Sequence, residues 1–223
     1  MAGVWAVLVA AGRGERLGLD RPKAFARLNG RPLLAESLER LEASAWIDAI
    51  VVVAPPEWEE PVILLADELG VGKATACVAG GESRVASARA GLEEVPAEAA
   101  VVLVHDAARP LVPADVVDRV LAPLGEGWDG AVPALPVADT LKRERNGAAE
   151  TVDRSGVFSA QTPQAFVPDV LRRALERGDA EASDCASLVE AEGGRVRLVQ
   201  GDPRLLKVTT SADLALVERI LAA

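Results

Sequence analysis

The residues of this chain best suited to chemistry form a glycine-rich loop. Residues 10–18 read Ala-Ala-Gly-Arg-Gly-Glu-Arg-Leu-Gly and directly follow an apolar run. Glycines after a strand let several backbone N–H groups point at one anion, and phosphate is the expected anion. Small side chains at the start of the loop leave room for a base or a sugar against the backbone. The loop therefore predicts nucleotide contacts at Ala10, Ala11, Gly12 and Gly14.

Two cations of this segment, Arg16 and Lys23, are suited to hold a polyphosphate. Arginine offers a planar fork of donors, and lysine offers a compact point charge. The loop is neither a P-loop, which needs Gly-Lys followed by Ser or Thr, nor a dinucleotide fingerprint, which needs a third glycine at position 16 or 17. The alternative interpretation is an ordinary strand-to-helix turn with solvated arginines.

A carboxylate and an imidazole stand together at the end of a later apolar run. Asp106 is expected at the carboxyl edge of the sheet, where open α/β sheets bind ligands. Mg²⁺ is usually held by one or two carboxylates together with substrate phosphates and water, so Asp106 is the predicted Mg²⁺ ligand. The alternative is that Asp106 caps the next turn. His105 is the only histidine, and without an evident relay partner it is expected to be structural.

The charge of the chain argues against one class of partner. The chain has 24 Lys and Arg against 34 Asp and Glu, which gives a net charge of −10. Affinity for nucleic acid comes from clustered cations, so no nucleic-acid partner is expected. Residues 13–31 are the exception, because they sum to +4 and leave −14 for the rest. An aromatic share of 3% also does not favour base-stacking surfaces.

Other features bear on location and metal content. No apolar run approaches the roughly 18 residues of a membrane span, and the N-terminus does not read as a signal peptide, so we expect a cytoplasmic protein without membrane contact. Cys77 and Cys185 are far apart in the sequence. With one histidine they cannot form a zinc cluster of ordinary spacing.

Short apolar runs alternate with amphipathic stretches in the first half of the chain. This pattern predicts an α/β fold with a Rossmann-like, mostly parallel sheet flanked by helices, in one domain spanning residues 1–223. Buried strands are predicted at residues 5–10, 49–54, 74–79 and 100–105. Helices are predicted to begin at Pro32, near Pro56, near Glu82 and at Pro113.

The pattern changes after Gly130. A strand interrupted by prolines is predicted at 131–141, and Asn146-Gly147 is a strong hairpin signal, so residues 138–155 are predicted to form a two-stranded β-ribbon arm. Since an isolated ribbon is marginal in water, we expect the arm to pack on a second subunit in a homodimer. The alternative is a mobile surface hairpin. The remaining elements are predicted as helices at 168–177, 184–192 and 211–222 and a strand at 195–200.

Further motifs carry a family resemblance over essentially the whole chain. Beside the glycine loop and Arg21-Pro22-Lys23, they are Gly80-Gly81-Glu82-Ser83-Arg84, Val104-His105-Asp106-Ala107-Ala108-Arg109-Pro110, Asp139-Thr140-Leu141-Lys142, Thr151-Val152-Asp153-Arg154, Gln161-Thr162-Pro163-Gln164 and Lys207-Val208-Thr209. In order and spacing the chain resembles the 2-C-methyl-D-erythritol 4-phosphate cytidylyltransferases of the non-mevalonate isoprenoid pathway. One departure is Ala24, where the family often has glutamine.

The resemblance implies a reaction and a distribution of roles. CMP would pass from CTP to methylerythritol phosphate with release of pyrophosphate, and Arg16, Lys23 and Lys207 would be catalytic. Gly81, Glu82 and Ser87 would bind the cytidine, while Arg84 braces their loop. The residues implied at the acceptor are Asp106, Arg109, Thr140, Arg154 and Thr162. Thr140 and Arg154 would come from the arm of the partner subunit.

Three alternatives stay open at this point. A cytidylyltransferase for another polyol phosphate, such as ribitol 5-phosphate, would share the CTP half of the site. Purine transfer, as in molybdopterin guanylyltransferases, is more distant. A catalytically silent nucleotide-binding regulator on the same fold would be expected to lack Arg16, Lys23 or Asp106, and all three are present.

Overall fold

The fold is a mixed α/β sandwich built on one large sheet. In a computed structural model, residues 3–12, 14, 17–18, 20–179 and 181–222 are described. Within them an eight-stranded sheet is flanked by helices, and two separate two-stranded antiparallel sheets accompany it. The predicted Rossmann-like fold class is confirmed.

The first half of the chain supplies four strand-helix units, as predicted. The strands are β1 (Val4–Val9), a two-stranded hairpin of β2 (Arg27–Leu28) and β3 (Arg31–Pro32), β4 (Ala49–Ala54), β5 (Ala74–Ala79) and β6 (Val101–Asp106). The helices are α1 (Leu33–Glu42), α2 (Glu59–Glu68), α3 (Arg84–Glu93) and α4 (Ala114–Gly125). Strand β1 pairs in parallel with β4 on one side and β6 on the other, so its carboxyl end lies at the centre of the sheet.

The second half completes the sheet with antiparallel strands. Its elements are β7 (Gly130–Pro136), β8 (Leu141–Arg145), β9 (Ala148–Val152), β10 (Phe158–Ala160), β11 (Gln164–Phe166), α5 (Pro168–Arg177), α6 (Cys185–Ala191), β12 (Val196–Gln200) and α7 (Ser211–Leu221). Strand β11 lies between β6 and β7 and is antiparallel to both. Strand β12 pairs with β7 in parallel.

Alternating side chains of the central strands build a core on each face of the sheet. Ala6 and Leu8 face a cluster that includes residues of α1, α2 and α4. Val7 faces the opposite cluster, which includes residues of α3, α5 and α6. Burial on both faces explains why these strands are continuous apolar runs in the sequence.

Three expectations about the elements need correction. Strand β5 is not buried on both faces, because it is an edge strand paired only with β4 among the described residues. The β2–β3 hairpin and the short strands β10 and β11 were not predicted. The strand predicted at 131–141 ends at Pro136, because the chain leaves the sheet there and pairs again from Leu141 in the β8–β9 hairpin.

The predicted ribbon is present as the β8–β9 hairpin. Its strands pair from Leu141 opposite Val152 to Arg145 opposite Ala148, and Asn146 and Gly147 form the turn with φ of 52° and 78°. Positive φ at both positions is the geometry that favours Asn-Gly in a two-residue hairpin loop. Most ribbon side chains are exposed.

No helix within the described residues is long and apolar enough to cross a membrane.

Helix α3 packs on the sheet at close range through Gly91. A Cβ atom at this position would lie 2.4 Å from Val7 Cγ1 and 2.6 Å from Val53 Cγ2. We predict that Gly91→Ala lowers the free energy of unfolding by about 1–3 kcal/mol through overpacking, against a helix-propensity gain of about 1 kcal/mol. Urea denaturation measures the change.

Gly125→Ala is the matched control, because a Cβ atom there meets nothing within 4 Å at the exposed end of α4. It is expected to leave stability unchanged or slightly higher. Equal stability of the two variants would contradict the close packing of α3.

Candidate functional site

A large cleft opens where β1, β5 and β6 end. Its volume is about 1170 Å³. It is lined by the loop after β1, the loop between β5 and α3, the end of β6 and the segment that precedes α7. Carboxyl ends of parallel strands and their connecting loops form the ordinary ligand crevice of open α/β sheets.

Gly14 of the glycine loop is closely approached by Lys23. Gly14 has φ of +74°, and a Cβ atom there would lie 2.7 Å from Lys23 Cβ. Position 14 therefore favours glycine both for its left-handed backbone and for the close approach of Lys23. Ala10, Ala11, Gly12, Gly14 and Lys23 all line the cleft. Arg16 lies outside the described residues.

The loop between β5 and α3 approaches the glycine loop closely. A Cβ atom on Gly80 would lie 2.3 Å from Ala11 Cβ, so the two loops touch only because position 80 has no side chain. Gly81, Glu82 and Ser87 line the cleft beside them. The Ser87 hydroxyl donates to the backbone oxygen of Ser83 at 2.9 Å, and Ser83 caps α3 by accepting from Ala86 N at 3.1 Å.

Asp106 lies between two cations at the floor of the cleft. Arg84 Nε donates to Asp106 Oδ1 at 3.1 Å, and Lys207 Nζ donates to Asp106 Oδ2 at 2.7 Å. Burial alone would raise the pKa of Asp106, but the two cations outweigh it and hold that pKa well below its usual range. These three side chains, which we call the Asp106 triad, carry a net charge of +1. The floor of the cleft is therefore positive despite its carboxylate.

Arg84 is fixed by more than this ion pair. Its Nη1 donates to the sulfur of Cys185 at 3.4 Å. Burial opposes its charge, but Asp106 and Cys185 raise the pKa of Arg84 above its ordinary value. Its Nη2 is buried and has no hydrogen-bond partner among the described residues. Arg84 was expected only to brace a loop, and its pairing with Asp106 was not foreseen, since the two are 22 residues apart.

His105 is buried, as expected of a structural residue. Its Nε2 lies 3.1 Å from the backbone oxygen of Arg109, and its Nδ1 lies 3.0 Å from Thr162 Oγ1. Burial lowers the pKa of His105 to about 4, so the ring is neutral near pH 7.

Two residues expected at the acceptor lie outside the cleft. Thr162 is 3% exposed, and its hydroxyl oxygen also accepts from the backbone N–H of Asp106 at 3.1 Å. Arg109 donates from Nη1 to the backbone oxygen of Leu205 at 2.5 Å and from Nη2 to that of Ala160 at 3.3 Å. In this structure the Thr162 hydroxyl and both Nη atoms of Arg109 bind other parts of the chain, and direct substrate contact by these two residues stays a prediction.

The remaining acceptor residues, Thr140 and Arg154, lie beside or at the end of the arm and do not line the cleft. Arg154 Nη1 donates to the backbone oxygen of Val137 at 3.0 Å and also to that of Ala138. Both side chains are exposed. The chain by itself thus gathers the residues expected to bind the nucleotide but not those expected from the arm.

No group of three or more metal-binding side chains occurs among the residues with described positions. Asp106 is the carboxylate at the centre of the cleft floor. Each of its oxygens binds one cation, and a carboxylate has about four lone-pair positions in total, so it keeps capacity for another ligand. One carboxylate together with substrate phosphates and water is a donor set that suits Mg²⁺.

Comparison with known proteins identifies one family. The family model for 2-C-methyl-D-erythritol 4-phosphate cytidylyltransferase matches residues 4–223. A cytidylyltransferase of that name from Streptomyces avermitilis is 43% identical over 227 residues, covering 97% of this chain and 91% of the relative. Its counterpart from Rubrobacter xylanophilus is 42% identical over 228 residues, covering 100% of this chain and 96% of the relative.

Solved structures agree in fold over the whole length. A crystal structure of a 4-diphosphocytidyl-2C-methyl-D-erythritol synthase has a TM-score of 0.84 at 34% identity and covers 99% of both chains. The 2-C-methyl-D-erythritol 4-phosphate cytidylyltransferase from Thermus thermophilus has a TM-score of 0.78 at 36% identity, covering 97% of this chain and 98% of that one.

The three charges of the Asp106 triad predict that removing Asp106 and removing Lys207 change the free energy of unfolding by different amounts. Asp106→Asn leaves the Arg84 guanidinium buried beside Lys207 without a carboxylate, so we expect a loss of about 3 kcal/mol in the free energy of unfolding. Lys207→Met removes a side chain that is 40% exposed, and an exposed pair contributes about 0–1 kcal/mol. Guanidinium denaturation of both variants measures the difference, and equal losses would contradict this account of the triad.

Proposed function

Since the chain belongs to the 2-C-methyl-D-erythritol 4-phosphate cytidylyltransferase family, we propose that its cleft transfers CMP from CTP to 2-C-methyl-D-erythritol 4-phosphate. The products are 4-diphosphocytidyl-2-C-methyl-D-erythritol and pyrophosphate. The observation that carries the proposal is the convergence of the glycine loop, Lys23, Lys207 and Asp106 on one cleft.

The nucleotide lies along the two touching loops. Ala10, Ala11 and Gly81 present backbone groups near small side chains, which lets the cytidine approach the main chain. Glu82 and Ser87 complete the surface around the base. Discrimination against other bases then follows from hydrogen bonds that a wrong base would leave unmade.

Catalysis follows from orientation and positive charge. An oxygen of the acceptor phosphate attacks the α-phosphorus, a new O–P bond forms, and the bond from that phosphorus to the bridging oxygen breaks, so pyrophosphate leaves with the electron pair. Negative charge spreads over the phosphoryl oxygens in the transition state. Lys23 and Arg16 stabilise that charge at the triphosphate, and Lys207 stabilises it on the side of Asp106.

Asp106 is the proposed ligand for Mg²⁺, together with triphosphate oxygens and water. The ion, when bound, neutralises phosphate charge and makes the α-phosphorus more electrophilic. Arg84 keeps Asp106 ionised and oriented for this role.

The acceptor half of the site is proposed to be completed by a second copy of the chain. An isolated ribbon is marginally stable, and Val157 and Phe158 next to the arm are 36% and 45% exposed. Docking of the arm in a twofold homodimer buries this apolar surface and brings the partner's Thr140 and the partner's Arg154 to the cleft. Their hydroxyl and guanidinium groups suit a phosphorylated polyol.

Substrate choice tests the proposed reaction. With Mg²⁺ and CTP, we expect 2-C-methyl-D-erythritol 4-phosphate to react with a kcat/KM at least about 100-fold above that of ribitol 5-phosphate, because a polar site rejects a partner that leaves its groups unpaired. Pyrophosphate release measures both rates, and GTP in place of CTP is the base control. Preference for ribitol 5-phosphate would overturn the assigned acceptor, and preference for GTP would overturn the assigned nucleotide.

Mixed dimers test the shared site. Lys23→Ala and Arg154→Ala subunits should each be nearly inactive, whereas a refolded equal mixture should regain about a quarter of wild-type activity, since half the dimers are mixed and each holds one intact site. Activity of the mixture relative to each parent is the measurement.

The matched control mixes Lys23→Ala with Lys207→Ala. Both residues belong to the chain that holds the nucleotide, so no mixed dimer contains an intact site and no recovery is expected. Equal behaviour of the two mixtures would contradict a contribution from the partner's Arg154.

A further inference from the structure

The two lysines of the cleft are each followed in the sequence by a residue of one small apolar cluster. Ala26 lies three residues after Lys23, and Val208 is the residue next to Lys207. The buried members of this cluster, which is separate from the two cores of the sheet, are Ala26, Leu28, Leu33, Leu111, Val208 and Val217. The backbone behind both lysines is therefore anchored in the same place.

Helix α7 supplies Val217 to this cluster and is otherwise largely exposed. Among the eleven residues of α7, all of them described, only Val217 is buried, and Leu216 and Ile220 are 48% and 37% exposed. A helix with so little buried surface adds modestly to the hydrophobic stabilisation of the fold. Its hydrogen bonds with the segments that lead to the cleft indicate another role.

Asp213 of α7 holds the segment that follows Lys207. Its Oδ2 accepts from N and Oγ1 of Thr209, both at 2.8 Å, and from N and Oγ1 of Thr210 at 2.8 Å and 3.0 Å. Thr210 in turn caps the helix by accepting from Asp213 N at 3.2 Å, which completes a capping box. These hydrogen bonds, first of all that from the Thr209 hydroxyl, lower the pKa of Asp213 to about 2, so the carboxylate is charged near pH 7.

The segment held by Asp213 reaches the floor of the cleft. Lys207 and Thr209 both line the cleft, and between them the backbone N–H of Val208 donates to the backbone oxygen of Ala108 at 2.8 Å. Ala108 lies two residues after Asp106, the partner of Lys207. Lys207 therefore projects from a backbone that is attached to the end of β6 on one side and to α7 on the other.

Helix α7 is also attached to the segment that follows Lys23. Glu218 Oε1 accepts from the backbone N–H of Asn29 at 3.0 Å, at the turn of the β2–β3 hairpin. The hairpin begins just after Ala26, whose N–H donates to the backbone oxygen of Lys23 at 3.0 Å and whose oxygen accepts from Leu33 N at 2.8 Å. The same helix thus contacts the backbone next to both lysines.

We infer that α7 positions both lysines of the cleft: Asp213 sets the placement of Lys207, and Val217 packs in one cluster with the residue after Lys207 and with the hairpin that follows Lys23. Asp213 and Val217 are positioning residues, because neither lines the cleft. The inference rests on the proposed function only for its kinetic consequences, since the contacts themselves belong to the protein without substrate.

Amide hydrogen exchange, measured residue by residue by NMR, tests the placement of Lys207 without substrate. In Asp213→Ala we expect the Val208 N–H to exchange at least about tenfold faster than in the wild type, because its segment loses the attachment to α7. Asp213→Glu should stay within about threefold, since glutamate is the usual partner in a capping box. Asp179→Ala is the matched control: its carboxylate also accepts a backbone N–H, that of Glu181, but on an exposed turn that does not line the cleft. It should leave the exchange of Val208 unchanged.

Kinetics test the consequence for transfer. Asp213→Ala should lower kcat about tenfold or more and change the KM for CTP less than about threefold, because a misplaced Lys207 stabilises the transition state less. Asp213→Glu should keep kcat within about threefold of the wild type. In a Lys207→Met background, Asp213→Ala should change the remaining kcat by less than about twofold, since its effect passes through Lys207.

A second pair of variants separates positioning from a general loss of stability. Val217 and Val120 are both fully buried on helices, but Val120 of α4 belongs to a core of the sheet. Both valine-to-alanine changes should lower the melting temperature. We expect only Val217→Ala to speed exchange at the N–H groups of Val208 and Leu33 and to lower kcat about threefold or more at a temperature where both variants are folded.

Three results would overturn the inference. Faster exchange in Asp213→Ala that is confined to Thr209, Thr210 and the first turn of α7 would make Asp213 a local cap. An effect on kcat that multiplies with Lys207→Met would show that Asp213 does not act through Lys207. Equal kcat values in Val217→Ala and Val120→Ala would make the cluster merely structural. Absence of any CTP-dependent turnover in the wild type would instead refute the proposed function, and the exchange rates would still decide the positioning role.

Discussion

The organisation of the site depends on one carboxylate held between two cations. Asp106 pairs with Arg84 on one oxygen and with Lys207 on the other. Without the carboxylate, Arg84 would be a buried cation beside a second cation, an arrangement with a large desolvation cost. Without the cations, the carboxylate would repel any phosphate entering the cleft. Together they leave a positive floor that is stable before a nucleotide arrives, and the rest of the fold keeps these three side chains together.

This balance explains how an acidic protein can be built around a phosphate site. The net charge of −10 belongs to the whole chain, whereas Arg21, Lys23 and the Asp106 triad bring positive charge to one cleft. Salt screens the repulsion between a phosphate in the cleft and distant negative charges more than it screens the attraction of that phosphate to cations within the cleft. The charge felt by a bound triphosphate is therefore set by the cleft and not by the chain average.

Most of the parallel core was predictable because its signal is local. Continuous apolar runs such as Ala49–Ala54 and the proline before α4 identify elements without reference to any distant residue. Strands β10 and β11 could not be found in this way, since each has three residues and no periodicity. In the Asp106 triad, Lys207 and its partner Asp106 are 101 positions apart, so only the folded sheet brings the triad together. Thr162 was predicted as an acceptor residue from its motif, but its burial next to His105 depends on the fold and is not written in the sequence.

The two kinds of residue at this site face different physical demands. The groups proposed to receive the nucleotide are glycines, alanines and a partly exposed lysine, which leave space and supply backbone donors without requiring a rigid side chain. Groups behind them are buried amides, a hydroxyl and an imidazole, which tolerate little change because each unpaired polar atom in the interior is costly. Transfer needs the reacting oxygen within a few tenths of an ångström of its productive position. A surface lined by backbone reaches that accuracy only if the charged side chains beneath it are held from behind, and one such contact is the hydrogen bond that Thr162 Oγ1 accepts from the backbone N–H of Asp106.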